Sequence, residues 1–131
     1  MSKTILTYGT FDGFHYGHLE FLKRCKSYGG FLILGLSTDK LNKELNKKTY
    51  LNYNERFQTL EDIFLVDLII PQKTLDQKKN DIEIHNVDIL IMNSRWRGTL
   101  DHLHLPCEIK YFNEHYNIFN KKTKSKKRKR R

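Results

Sequence analysis

Between Gly30 and Ser37 the chain reads Phe31-Leu32-Ile33-Leu34-Gly35-Leu36, an apolar run without a polar residue. A strand with one wet face alternates apolar and polar positions, so this run marks a strand buried on both faces. Ahead of it, Lys3-Thr4-Ile5-Leu6 reads as a first buried strand. Leu19, Phe21, Leu22 and Cys25 recur at helical spacing, which predicts a helix starting near His18 and closed by Gly29-Gly30. Strand, helix and strand make a βαβ unit, whose crossover is right-handed.

The alternation continues. Lys40 to Asn52 is polar and aperiodic, hence a mobile loop. Asn52 or Asn54 caps a helix with a stripe of Phe57, Leu60, Ile63 and Phe64. Leu68-Ile69-Ile70-Pro71 is a third strand, stopped by its proline. Asp76 to His85 is a polar helix burying Ile82 and Ile84, and Asp88–Met92 and Glu108–Phe112 are the last strands. Trp96 to Leu105 is loop and short helix. The expected fold is α/β: a Rossmann-like, doubly wound, five-stranded parallel sheet with helices on both faces.

The chain has 131 residues and a net charge of +9, yet nine of its 24 Lys and Arg lie between Lys121 and Arg131, where there is no acid. The remainder balances 15 basic against 15 acidic residues, so any affinity for nucleic acid or another polyanion rests on the tail. We expect one α/β domain over residues 1–120 and a basic, disordered tail over 121–131. That tail also reads as a nuclear address or an anionic-surface anchor. No apolar run is long enough for a membrane span, and no signal-peptide pattern opens the chain. Cys25 and Cys107 suggest neither a disulfide framework nor a zinc site, which fits a reducing, cytoplasmic setting.

The chemistry concentrates in Gly9-Thr10-Phe11-Asp12-Gly13-Phe14-His15-Tyr16-Gly17-His18, the turn from first strand to first helix. Ligands of open α/β sheets bind at the carboxyl ends of the strands. A helix amino terminus adds unpaired N–H groups and the positive end of its dipole, both suited to phosphate. His15 and His18 bring two imidazoles to that anion, and Gly9 and Gly17 allow close backbone approach. Arg56 stands in the first turn of its helix, where a cation opposes the dipole, pointing to an anionic partner or an ordinary salt bridge.

The Gly-Thr-Phe-Asp-x-x-His-x-Gly-His pattern resembles the signature of the cytidylyltransferases, within the HxGH nucleotidyltransferases. The likeness extends to Ser37-Thr38-Asp39, Asn46-Lys47-Lys48, Tyr53-x-x-Arg56, Gln77-Lys78-Lys79 and Trp96, over most of Met1 to Phe112. It implies transfer of a nucleotidyl group from CTP to glycerol-3-phosphate or a similar phosphorylated alcohol, with Mg²⁺, by a homodimer. The resemblance makes His15, His18 and Asp12 catalytic and assigns Gly9, Thr10, Phe11, His15, His18, Lys47 and Arg56 to the nucleotide. It gives Lys78 to the acceptor phosphate, whereas Lys79 faces water. Asp12 by itself reads three ways, as orienting a metal, orienting a histidine, or capping the turn. No residue is assigned as a metal ligand.

The chain departs from the family pattern at four places. Asn93-Ser94-Arg95-Trp96 stands for Gly-Asp-Asp-Trp, Leu45 for a lysine and Phe64 for an arginine, while Glu114 to Lys121 replaces an arginine- and hydroxyl-rich block. These changes give the alternative reading, a degenerate nucleotide-binding homologue whose basic tail binds anionic partners.

Overall fold

A computed structural model describes residues 2–100 and 104–112. The elements run β1 (Thr4–Gly9), α1 (Tyr16–Lys26), β2 (Phe31–Ser37), α2 (Asp39–Glu44), α3 (Tyr53–Glu61), β3 (Leu68–Gln72), α4 (Lys78–His85), β4 (Ile89–Asn93), a 3₁₀ turn (Ser94–Trp96) and β5 (Glu108–Phe112). All five strands are parallel, in the order β3-β2-β1-β4-β5. The order reverses beside β1, where the chain steps from β3 across to β4, and a crevice opens there at the carboxyl ends of the strands.

Two apolar layers cover the sheet. On one face Ile5, Leu32, Leu34, Leu36, Ile89 and Ile91 pack against Phe21, Leu22 and Cys25 of α1 and Leu60 of α3. On the other, Leu6, Ile33, Leu90 and Met92 meet Ile82 of α4, Val87 and Leu100. Both faces being covered is why β2 and β4 read as apolar runs, while Thr7 in the middle of β1 is buried with its hydroxyl donating to the Ile91 carbonyl (2.6 Å). Gly35 has a separate reason: a Cβ there would collide with the ring of Tyr8, its register partner on β1.

Several local expectations are corrected. Helix α1 begins at Tyr16 rather than near His18 because His15 caps it, and it ends at Lys26, before Gly29-Gly30. The stretch from Lys40 is not all loop: Thr38 accepts a hydrogen bond from the Leu41 N–H and starts α2, which buries Leu41 and Asn42. Asn52 is the cap of α3, which stops at Glu61, so Phe64 lies beyond it and is fully exposed. Strand β3 runs through Pro71 to Gln72, tolerable because it is an edge strand. Ile84 faces outward. Among the described residues no helix is long and apolar enough to cross a membrane. The basic stretch 121–131 and the segment 114–121 lie outside the described residues.

Candidate active site

The β1–α1 turn is built around Phe11, whose φ of +50° bends the chain and whose ring is buried. That ring occupies the space a Cβ on Gly9 would take, so the bareness of Gly9 serves the turn itself. Non-glycine residues in the left-handed region are uncommon and cluster at sites where the surroundings enforce the geometry. Phe11 meets the ring of His18 edge-on, at 5.0 Å between centroids.

The two histidines hold each other through the helix cap. The Gly17 N–H donates to His15 Nδ1 (3.0 Å) and the His15 N–H donates to His18 Nδ1 (3.3 Å). In its neutral form each ring therefore carries its proton on Nε2. The rings stack, with centroids 3.8 Å apart and planes inclined by 22°.

Three neighbours fix this turn in place. The Thr10 hydroxyl accepts from Ser37 Oγ and from Lys47 Nζ, each at 3.1 Å, joining the ends of β1 and β2 to the loop after α2. The two carboxylate oxygens of Asp12 accept the backbone N–H groups of Tyr50 (2.8 Å) and Leu51 (2.9 Å), fastening that loop to the motif. Arg56 is wholly buried behind them. Its guanidinium donates to the carbonyls of Thr10 (3.0 Å), Ser37 (2.8 Å) and Leu51 (3.2 Å) and pairs with Asp39 (2.9 Å).

Thr10, Asp12, Ser37 and Lys47 border a hollow of about 290 Å³ at the carboxyl ends of the strands. Lys47, Lys48 and Arg95 line it together with His18, and among the described residues Asp12 is its one carboxylate, so the hollow favours anions. Lys78 lies just behind the wall, fully buried, donating to the Leu75 carbonyl (2.7 Å). Its ammonium sits 4.9 Å from the Trp96 ring and 5.1 Å from that of Tyr8. Burial pushes its pKa below the ordinary lysine value, against the opposing charges of Asp76 and Asp81. Burial, then the hydrogen bond to Asp81 (2.6 Å), raises the Tyr8 phenol far above its usual range. Asn42, on α2, also borders the hollow, and among the described residues neither its side-chain nitrogen nor its oxygen has a hydrogen-bond partner. An unsatisfied buried polar group costs about 1–3 kcal/mol.

Of the sequence-derived site residues, the structure gathers Gly9, Thr10, Phe11, Asp12, His18 and Lys47 around one hollow. His15 is not among the lining residues; it is exposed and stacked on His18, which does line the hollow. Arg56 and Lys78 do not line it: both lie behind the wall, Arg56 held by main-chain carbonyls and Lys78 between two aromatic rings. Lys79 is exposed, as expected. Sequence reasoning passed over Asn42 because it treated its segment as loop; the Thr38 cap and the apolar Leu41 three residues on were the available signal.

Among the described residues no three His, Cys, Asp or Glu side chains converge on a possible metal position. Mg²⁺ commonly binds through one or two carboxylates plus substrate phosphates. Asp12, the carboxylate that the described residues bring to this anion-seeking hollow, suits an ion that arrives on a triphosphate.

An anion-seeking hollow at the carboxyl edge of a 3-2-1-4-5 parallel sheet defines the class: a doubly wound α/β protein of nucleotide-binding type. A family described as cytidylyltransferase-like matches residues 6–128. The chain is 45% identical over 109 residues to a glycerol-3-phosphate cytidylyltransferase of Staphylococcus aureus, covering 83% of each. To the protein of the same name from Bacillus subtilis it is 44% identical, covering 83% of this chain and 84% of that one. The crystal structure of a lipopolysaccharide core biosynthesis protein from Thermoplasma volcanium shares the fold, with a TM-score of 0.71 at 22% identity, covering 86% of this chain and 97% of the other. The chain belongs to the cytidylyltransferase-like family.

Proposed function

We propose that this protein transfers the cytidylyl group of CTP to the phosphate of glycerol-3-phosphate or a similar small phosphorylated alcohol. A phosphate oxygen of the acceptor attacks the α-phosphorus and forms a new P–O bond. The bond from the α-phosphorus to its β-bridging oxygen breaks, and pyrophosphate leaves with the electron pair. Such displacement needs positioned donors and charge stabilisation more than covalent catalysis. The Nε2–H groups of His18 and His15 supply donors toward the α-phosphate and the departing oxygen. Lys47, bonded to the Thr10 hydroxyl, adds a cation, and the N–H groups of Thr10 and Phe11 face the triphosphate. Asp12 holds the loop that carries Lys47. Arg56 acts from behind, and Lys78 reaches the acceptor phosphate by turning out of its aromatic cage. Mg²⁺, when bound with the nucleotide, neutralises phosphate charge.

The observation that carries the reading is His18 bordering the hollow with Nδ1 engaged by the backbone. The named relatives favour transfer over the degenerate alternative. They are bacterial proteins, which lend no support to a nuclear address; the reading is a cytoplasmic homodimer whose 121–131 tail contacts polyanions.

The test is direct. Purified protein with CTP, glycerol-3-phosphate and Mg²⁺ should yield CDP-glycerol and pyrophosphate in equal amounts. No pyrophosphate from any nucleotide across a panel of phospho-alcohols would overturn the reading.

A further inference from the structure

We infer that Asn42 is a specificity residue for the acceptor, and that its amide reads a pair of neighbouring hydroxyls. This rests on the proposed transfer reaction. Every main-chain group of Asn42 is engaged: its N–H donates to the Thr38 carbonyl (3.0 Å) and its carbonyl accepts from the Lys47 N–H (2.8 Å). Only the side-chain amide is left over, and it is 2% exposed on the border of the hollow. Buried amides are rarely left so, which makes this one an address for a ligand group.

The amide leaves one donor group and one acceptor orphaned together. Phosphate only accepts, so it would satisfy the nitrogen and leave the oxygen unpaired. Two adjacent hydroxyls satisfy both atoms, one accepting from Nδ2 and one donating to Oδ1. A base edge also offers a donor beside an acceptor, but the surroundings decide against it. Among the described residues, the lining from β2 to the loop after β3 is Ser37, Leu41, Leu45, Gln72 and Leu75 with Lys47, Lys48 and Thr49 around Asn42, none of them aromatic. The rings among the described lining residues, Tyr8, Phe11, His18, Phe21 and Trp96, belong to β1, the turn after it, α1 and the 3₁₀ turn after β4. A short aliphatic polyol suits the Asn42 side; a stacking base suits the other. The bond from the Lys47 N–H to the Asn42 carbonyl fixes the start of the Lys47 loop against α2, on the side of the hollow where the amide lies. On binding, the amide turns into the hollow beside it.

The experiment compares glycerol-3-phosphate with 3-hydroxypropyl phosphate, which lacks the middle hydroxyl, on the wild type and on Asn42→Leu. Leucine is of similar size and removes the orphaned polar atoms, so the variant should melt no lower than the wild type. The wild type should prefer the diol by about tenfold or more in kcat/KM. In Asn42→Leu the preference should vanish, through loss on glycerol-3-phosphate alone, with the KM for CTP unchanged. A preference that survives in the folded variant, or a rise confined to the KM for CTP, overturns the inference. A wild type that turns over neither acceptor defeats the transfer reading; calorimetric titration of both phosphates then tests Asn42 independently, and equal affinities in wild type and variant overturn it.

Discussion

The imidazole of His15 lies flat against that of His18, 3.8 Å between centroids, and each accepts a backbone N–H of the same helix start. The pair is thus both helix cap and donor set, and substitutions separate the two roles. His18→Ala removes a ring that borders the hollow and should lower kcat by about 10²–10³, the usual effect of losing one preorganised donor to developing phosphate charge. His15→Asn keeps a strong N-cap side chain while removing the Nε2 donor. Its melting temperature should stay near the wild type while transfer falls; His15→Ala should lose about 1 kcal/mol as well. Thermal melts alongside pyrophosphate release distinguish the three.

The sheet was legible because parallel strands covered on both faces are mostly apolar, as Leu32–Leu36 of β2 and Ile89–Met92 of β4 are; Thr7, in the middle of β1, is buried only because its hydroxyl donates to the Ile91 carbonyl. The turn at Gly9–His18 was legible because its chemistry is local: cap, glycine and imidazoles lie within ten residues. Arg56 shows the limit. Its sequence position marks it only as a cation in a helix's first turn, whereas its partners Thr10 and Ser37 are brought to it by the ends of β1 and β2. Lys78 is similar, since nothing in a polar helix reveals that Tyr8 and Trp96 will enclose its amine. Helix α2 escaped because six residues with one buried apolar side chain carry no period.

Asp12 makes its two hydrogen bonds to the Tyr50 and Leu51 amides, 38 and 39 residues away in sequence. Asp12→Ala should therefore loosen the loop that carries Lys47 and Lys48. Amide hydrogen exchange at Tyr50 and Leu51 should quicken markedly, and the KM for CTP should rise. Asp12→Asn, with one acceptor oxygen left, should fall between. Unchanged exchange in Asp12→Ala with lost turnover would instead assign the carboxylate to chemistry or metal alone.

Arg56 donates to three carbonyls and one carboxylate from complete burial. Arg56→Ala strips β1, β2 and the loop of a shared clamp and leaves those carbonyls unpaired. Asp39 is half exposed and keeps its water, so the loss comes from the carbonyls, and chemical denaturation should show about 1–3 kcal/mol, the range for leaving a buried polar group unsatisfied. Arg56→Lys should recover only part of it, because a single ammonium cannot reproduce the planar fork.

Lys78 gives the pH-dependent case. Burial lowers its pKa in the folded protein, so between that lowered value and the ordinary lysine value of about 10.4 the unfolded chain binds more protons. Stability then rises with pH across this window, and the penalty of the buried ammonium is fully present below it. Lys78→Met retains the aliphatic bulk between Tyr8 and Trp96 and removes the charge. Urea melts should show the variant more stable than the wild type at pH 7, with the gap narrowing toward pH 10. If the amine serves the acceptor phosphate, the same variant should raise the KM for glycerol-3-phosphate and leave that for CTP alone. A residue kept at a cost in stability and needed for one substrate is in the chain for function; a variant that gains stability with both KM values intact would show Lys78 to be structural.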